Sequence, residues 1–339
     1  MRPLAVALIV LAPIACGGKD NTTCPADYVC TPMPEGGTTP PGGAGATAIA
    51  TQIQATATNL ASDGTSLYWT SSEGSGGPVS SVPVVGGAVS TVVTGQIGGG
   101  FLAVDSVNVY YPAPSGGYSR SSKSGGGAAT LITPAGANVF GFTMLGGNAY
   151  WVEQTGNMPM GGDVVKTAPA QGGPTSVLAT MAAQGPSPGG GIAVTTTTVF
   201  VPAGLAGLSF FSIASGIPDG GTPTLVTGLM GFCEFIVSDT SDVYCSEAGS
   251  IVAIASDGST STLGNVLNEG QTAGGGGLAA DDTYVYWVDA TTVGTIMRAP
   301  KSGGAATIIA RDTSPVAIAV DASAVYWSDV GGNIMRLPK

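Results

Sequence analysis

The sequence predicts an all-β fold, a seven-bladed β-propeller with six blades as the alternative, and two observations carry the prediction. A strand pattern centred on an aromatic residue recurs seven times at intervals of 40 to 50 residues, which is the period of four-stranded propeller blades. Paired glycines or an Asp-Gly pair also recur at one place in the repeat, where tight turns would join antiparallel strands. The repeats centre on Tyr68, Tyr110, Tyr150, Phe200, Tyr244, Tyr286 and Tyr326.

Each repeat contains four short candidate strands. In the best-preserved repeat these are residues 278–281, 285–289, 295–300 and 306–309, each rich in β-branched or aromatic side chains and bounded by turn residues. The repeat around Phe200 is the least regular, and the interval before it is the longest. That weak repeat is why six blades remains an alternative.

The last repeat reaches the end of the sequence without a fourth strand. Residues 42–50 copy the pattern of residues 303–310, upstream of the first repeat. We therefore expect the N-terminal strand to complete the last blade, which would remove free sheet edges from the ring.

Three regions follow along the chain. Residues 1–15 carry one positive charge, a short apolar stretch and then small residues, the pattern of an export signal. Residues 16–43 are rich in Pro and Gly and predict a tether. Residues 44–339 hold the repeats and predict the propeller.

The signal ends in a sequence that resembles a known class. Ile14-Ala15-Cys16-Gly17 is similar to the lipobox of bacterial lipoproteins, although Pro13 departs from that pattern and plain secretion stays open. The resemblance implies that Cys16 carries a lipid that anchors the chain in a membrane. With Gly17 it implies an outer-membrane lipoprotein that faces the periplasm or the cell surface.

The other four cysteines form an even set, which in an exported chain favours two disulfides. Cys24 and Cys30 lie close together in the tether, and Cys233 and Cys245 fall on the first two strands of the fifth repeat. We expect the pairs Cys24–Cys30 and Cys233–Cys245, with buried free thiols as the alternative for the second.

Charge and composition exclude several functions. The net charge of −11 opposes binding to nucleic acid, whose phosphates attract basic proteins. The chain has no histidine, which excludes a Ser-His-Asp triad and a histidine-ligated metal site. We expect no catalytic residue, metal or cofactor, although the enzyme question stays open.

The best repeats resemble a known propeller class. Tyr286-Trp287-Val288-Asp289 and Tyr326-Trp327-Ser328-Asp329, each followed by Ile-Met-Arg, are similar to YWTD and NHL-like repeats, and the whole chain resembles bacterial propeller lipoproteins of unassigned activity. In the YWTD class the repeat residues are structural, and partners bind one propeller face through loops. The resemblance therefore implies a structural role for Tyr68, Trp69, Tyr110, Tyr150, Trp151, Tyr244, Tyr286, Trp287, Asp289, Tyr326, Trp327 and Asp329.

Other polar residues have two interpretations. Four repeats place an acid three residues after the central aromatic, at Glu153, Glu247, Asp289 and Asp329. These acids could converge on the channel for acid–base work, or they could end the second strand and accept hydrogen bonds in a turn, and we favour the second. The acids after the first strands, such as Asp281, have the same turn interpretation.

The basic and aromatic residues have structural interpretations as well. We expect Arg298, Arg336 and Lys166, at matching places in their repeats, to pair with acids of neighbouring blades or to lie over apolar surface. We expect one aromatic of each Tyr-Trp pair to pack between blades and the other to face a groove or the channel.

Our functional prediction is a non-catalytic, lipid-anchored, monomeric propeller. It would bind a protein, peptide or glycan through one face, with loops 153–162, 181–191 and 203–208 as the contacts. The alternative is a carboxylate-based glycan hydrolase or lyase that acts in the central channel.

Overall fold

The computed structural model describes most of the chain from residue 45 onward. The described residues are 45–53, 56–71, 77–95, 100–155, 162–181, 191–203, 209–214, 224–226, 233–239, 241–247, 250–265, 277–289 and 294–339. Every regular element among them is a β-strand. Cys16, the predicted pair Cys24–Cys30 and the two N-terminal regions lie outside these residues.

The strands form four-stranded antiparallel sheets, which we number from the N-terminus. Strand β1 (Thr47–Ala50) comes first and belongs to sheet 7. Sheet 1 consists of β2 (Ala57–Ser62), β3 (Ser66–Ser71), β4 (Val79–Pro83) and β5 (Ser90–Val93). Sheet 2 consists of β6 (Ala103–Val104), β7 (Asn108–Pro112), β8 (Tyr118–Ser122) and β9 (Thr130–Leu131). Sheet 3 consists of β10 (Asn138–Leu145), β11 (Asn148–Thr155), β12 (Gly162–Pro169) and β13 (Ser176–Met181).

The second half of the chain repeats this plan. Sheet 4 consists of β14 (Ala193–Val194), β15 (Thr198–Ala203), β16 (Ser209–Ala214) and β17 (Thr224–Val226). Sheet 5 consists of β18 (Cys233–Ser238), β19 (Val243–Glu247), β20 (Ser250–Ile254) and β21 (Thr260–Asn265). Sheet 6 consists of β22 (Leu278–Ala280), β23 (Tyr284–Asp289), β24 (Thr295–Pro300) and β25 (Thr307–Arg311). Sheet 7 adds β26 (Pro315–Val320), β27 (Ala324–Asp329) and β28 (Ile334–Pro338).

Sheet 7 joins the two ends of the ring. Its strand order is β1-β28-β27-β26, so β1 takes the place of a fourth strand. Thr47 pairs with Arg336 and Ala48 with Met335, and a bulge lies between Ala48 and Ala50. This pairing is the one that the repeated pattern in residues 42–50 predicts.

The Tyr-Trp pairs explain how neighbouring sheets pack. Successive side chains of a strand point to opposite faces of its sheet. Tyr286 accordingly packs against sheet 7, beside Trp327, while Trp287 packs against sheet 5, beside Tyr244. The prediction that one aromatic of each pair faces a groove or the channel is therefore wrong here, because both side chains lie in contacts between sheets.

The same alternation runs around the whole ring. One apolar cluster lies between each pair of consecutive sheets, and another joins sheet 7 to sheet 1 through Tyr326 and Trp69. The first strands contact one another in the same circular order, from β2 through β6, β10, β14, β18, β22 and β26 back to β2. The described strands therefore close into a β-propeller, and each fully buried aromatic contributes about 2–3 kcal/mol of hydrophobic stabilisation.

Two further features complete the description. Cys233 and Cys245 form a disulfide between β18 and β19, with their Cα atoms 5.5 Å apart. No helix in the described part of the chain is long and apolar enough to span a membrane.

Candidate functional site

Five sheets carry the same Asp-Tyr arrangement at the turn between their first and second strands. The Asp follows the first strand and the Tyr lies five residues later, as in Asp63–Tyr68, Asp105–Tyr110, Asp239–Tyr244, Asp281–Tyr286 and Asp321–Tyr326. In each sheet this turn lies at the same end as the turn between the third and fourth strands. We call that end of the sheet the Asp-turn end.

Sheet 6 illustrates the geometry. The Oδ1 atom of Asp281 accepts hydrogen bonds from the backbone N–H groups of Thr283 and Tyr284, at 2.8 and 2.7 Å. Its Oδ2 atom accepts a bond from the Tyr286 hydroxyl at 2.8 Å. The turn contacts are those that Asp makes readily, and the tyrosine fixes the carboxylate against the second strand.

Three lysines link this arrangement to the next sheet. Lys123 of sheet 2 and Lys339 of sheet 7 lie 2.5 Å from the carboxylates of Asp63 and Asp281, which belong to the preceding sheets. Lys301 of sheet 6 makes the same ion pair with Asp239. Each lysine directly follows a third strand, so the carboxylate holds one turn and also fastens one sheet to its neighbour.

Sheets 7 and 1 are fastened differently. In sheet 1 the residue after the third strand is Val84 and not a lysine. Its backbone N–H donates a hydrogen bond to the Thr65 carbonyl, as the Lys301 N–H donates one to the Thr283 carbonyl, so Val84 occupies the same position without the charge. Asp321 instead accepts a 2.7 Å hydrogen bond from the Ser62 hydroxyl of sheet 1.

The pKa values of these acids follow from their partners. Burial alone raises the pKa of Asp281, but the Lys339 ammonium, the turn N–H groups and the Tyr286 hydroxyl outweigh it and lower the pKa to about 2. Burial likewise opposes the Lys123 and Lys301 bonds at Asp63 and Asp239, whose pKa values fall well below the usual range. The tyrosine pKa values shift upward. Burial and the nearby Asp63 carboxylate raise the pKa of Tyr68 to about 12.

The arrangement is absent from two consecutive sheets. Sheet 3 has Leu145 where the Asp would lie, and sheet 4 has Thr195 together with Phe200 in place of the Tyr. The Thr195 hydroxyl still accepts the turn bond from the Thr198 N–H at 3.0 Å. The contact between these sheets is apolar and includes Tyr150 and Val199.

The four acids after the central aromatics lie at the other end of the sheets, which we call the opposite end. Glu153 accepts bonds from the Trp151 indole at 3.3 Å and from Lys166 at 2.8 Å. Asp329 accepts bonds from the backbone and side-chain nitrogens of Asn333, at 3.0 and 2.8 Å. Glu247 and Asp289 are buried. Asp329 thus accepts a backbone bond in the turn after its strand, as the structural interpretation expects, whereas Glu153 is bound by side chains of its own sheet.

The basic residues meet the expectation only in part. Arg298 lies opposite Tyr286, but Lys166 lies opposite Trp151, so the two positions are not equivalent and Lys166 pairs with Glu153 of its own sheet. The Arg298 guanidinium packs over the Tyr284 ring at 4.4 Å from its centroid. The sequence analysis missed the lysines that do bridge sheets. In three repeats a Lys directly follows the third strand, and that recurrence could have identified them.

Asp312 is another acid that sequence reasoning missed. It lies between β25 and β26, is buried, and accepts a 2.5 Å bond from the Trp327 indole. Burial raises its pKa, and the nearby Asp329 carboxylate adds to that effect. Asp312 lies outside the repeat pattern, so spacing could not reveal it.

Segments from several sheets pack closely around Gly191 at the opposite end. A Cβ atom on Gly191, just before β14, would lie 3.0 Å from the ring of Phe101 and 3.4 Å from Ile236. Phe101 precedes β6 of sheet 2, so its ring lies beside the segment that leads into sheet 4. Among the described residues, no group of three or more His, Cys, Asp or Glu side chains could hold a metal ion.

Comparisons with known proteins give likenesses of fold. No family model and no curated protein matches the chain. Similar solved structures include the WD40 β-propeller domain of Doa1, with 11% identity, a TM-score of 0.59 and coverage of 86% of this chain and 96% of that one. The structure of YCF48 bound to D1 peptide has 10% identity, a TM-score of 0.59 and coverage of 87% and 97%.

A third similar structure is an enzyme. It is XC5397 from Xanthomonas campestris, described as a gluconolactonase, with 12% identity, a TM-score of 0.51 and coverage of 84% and 86%. At these identities the comparisons show the fold and not the function, and the fold that they show is the β-propeller.

Proposed function

We propose that the chain is a non-catalytic binding scaffold, a seven-bladed ring that captures a protein or peptide segment at its opposite end. The seven sheets and the seven apolar clusters between them support the blade count. The structure of YCF48 with a D1 peptide supports a peptide-like ligand for this fold class.

The observation that carries the proposal is the difference between the two ends of the sheets. At the Asp-turn end the first and second strands are joined by turns of two to four residues, five of them held by an Asp, and the third and fourth strands of sheets 1 to 6 are joined by five to nine residues. At the opposite end the connections after β5, β13 and β21 span nine to twelve residues. Recognition normally resides in longer loops on a rigid scaffold.

The three loops named in the sequence analysis agree with this choice of end. Residues 156–161, 182–190 and 204–208 lie outside the described residues, but the strands that they join all meet them at the opposite end. The partner would therefore contact the same end that holds Phe101.

The geometry argues against catalysis by two acids of the opposite end, Asp312 and Asp329. Asp312 and Asp329 are only 5% and 4% exposed, and both accept bonds from neighbouring side chains. Catalytic carboxylates must reach their substrate. These acids instead hold β27 and the turn that follows it.

Site-specific photo-crosslinking in cells tests the proposal. A benzophenone amino acid replaces Val330 at the opposite end or Val107 at the Asp-turn end, two side chains with similar exposure of 60% and 58%. We expect a discrete crosslinked product from position 330 and none from position 107. Crosslinking from both positions, or from position 107 alone, would contradict the proposed binding end.

We also propose that Cys16 carries a lipid that holds the ring at a membrane. The similarity of residues 14–17 to a lipobox supports this anchor, and an outer-membrane location follows from it as a further proposal. We expect the full chain to incorporate labelled palmitate and to enter the detergent phase on Triton X-114 partition. Cys16→Ala should abolish both, whereas unchanged labelling of that variant would disprove the anchor.

A further inference from the structure

Strand β1 differs from every other outer strand among the described sheets. In sheets 1 to 6 the fourth strand directly follows the third along the chain, but in sheet 7 the outer strand comes from the other end of the ring. When β1 leaves its sheet, no hairpin therefore holds it close to β28.

Few contacts hold β1 in place. Three of its residues pair with β28, and a bulge interrupts the ladder, as in the outer pair of sheet 1, so β1 differs from the other outer strands in its connection and not in its pairing. Thr47 and Ala48 are exposed, and the buried residues are Ile49 and Ala50. Ile49 packs against sheet 1, in a cluster that contains Leu67, Val82 and Val84.

The segment after β1 is strained. Gln52 has a φ of 55°, in the left-handed region that costs side chains other than glycine energy. Ser314 has a φ of 53° in the matching connection between β25 and β26, but β25 is held to its own sheet by a hairpin. Short connections under strain promote the exchange of elements between copies.

We propose that β1 is exchangeable, and that the edge of β28 together with the Leu67–Val82–Val84 surface of sheet 1 accepts the β1 strand of a second copy of this chain. Each copy carries one donor strand and one matching acceptor, so a two-fold exchange satisfies both at once. The six residues between β1 and β2 span up to about 20 Å when extended, which requires the sheet 7–sheet 1 edges of the two copies to face each other. The inference goes beyond the proposed binding function and does not depend on it.

Isotope mixing with two engineered cysteine pairs tests the exchange. Ala48→Cys with Met335→Cys links β1 to β28, and Met297→Cys with Ile308→Cys links the equivalent positions of the continuous sheet 6. Full-length ¹⁴N and ¹⁵N chains are mixed at high concentration a few degrees below the melting temperature, oxidised and digested. We expect mixed-isotope 48–335 peptides and only same-isotope 297–308 peptides.

The hinge variants give a second readout. Gln52→Gly should lower the mixed-isotope fraction about fivefold, since relief of about 1 kcal/mol of strain favours the closed form by that factor. Ser314→Gly should leave the fraction unchanged. Exclusively same-isotope 48–335 peptides, or mixed peptides at equal frequency in both cysteine pairs, would overturn the proposal, and an equal effect of the two glycines would overturn the role of the hinge.

Discussion

At the scale of single residues, the acids of the Asp-turn end stabilise turns and contacts between sheets through their negative charge. The Asp281 carboxylate holds its own turn, the Tyr286 hydroxyl and Lys339 of the next sheet. Repeated carboxylates in a ring can suggest a cation site, but here the bonds within and between sheets account for them.

The lowered pKa of Asp281 predicts how stability depends on pH. Its pKa is about 2 in the folded chain, against an ordinary value of 3.8, so its contribution is present above about pH 4 and is lost as the pH falls toward 2. In Asp281→Asn we expect a lower melting temperature at pH 7 and a smaller decrease between pH 4 and pH 2. Calorimetry at pH 2, 3, 4 and 7 measures both.

Asp282→Asn is the matched control, because Asp282 is the exposed neighbour in the same turn. It should keep the parental melting temperature at pH 7 and the parental acid dependence. Identical acid dependence of both variants would show that Asp281 does not carry this part of the stability.

At the scale of elements, turns at the opposite end of sheet 2 depend on close backbone packing. Gly117 joins β7 to β8 with a φ of +76°, and a Cβ atom there would lie 2.1 Å from the Thr133 hydroxyl and 2.8 Å from the Pro134 carbonyl oxygen. Gly126, in the outer hairpin of the same sheet, has a similar φ of +74° but nothing within 4 Å of such an atom.

This pair of glycines separates backbone strain from steric overlap. Gly126→Ala should cost about 1 kcal/mol, the penalty of a left-handed conformation. Gly117→Ala should cost about 3 kcal/mol or more, since it adds the overlap. Urea denaturation compares the two, and equal losses would mean that the turn at Gly117 can relax.

The elements also show what the sequence could and could not predict. The spacing of the aromatic residues located every repeat. In each repeat two adjacent residues of the second strand are buried on opposite faces of the sheet, and large apolar side chains recur there for that reason. Spacing could not locate Asp312 or Phe101, whose contacts involve other sheets. The inference that Lys166 lies at the same place as Arg298 was wrong by one residue, and one residue is enough to move a side chain to the other face of a strand.

At the scale of the whole molecule, ring closure depends on a small strand. Ile49 is 7% exposed between sheets 7 and 1, whereas Ile308, on the equivalent outer strand of sheet 6, is 37% exposed. Ile49→Asp should lower the stability of the ring by about 3 kcal/mol or more, because it places a carboxylate in an apolar contact. Ile308→Asp should change it by less than about 1 kcal/mol.

Differential scanning calorimetry compares the two aspartate variants with the parent. A single shifted transition in Ile49→Asp would show that closure stabilises all blades together. Parental melting of that variant would mean that β1 is not needed to hold the ring.

The pairing of β1 with β28 also constrains the order in which the protein folds. Among the described strands, β1 leaves the ribosome first and its partner β28 leaves it last, so this contact spans almost the whole ring, and such non-local contacts form late. Until β28 is available, the Ile49 site of sheet 1 and the edge of β1 stay exposed to aggregation and to proteases. Closure of the ring therefore requires synthesis to have reached Pro338, the last residue of β28.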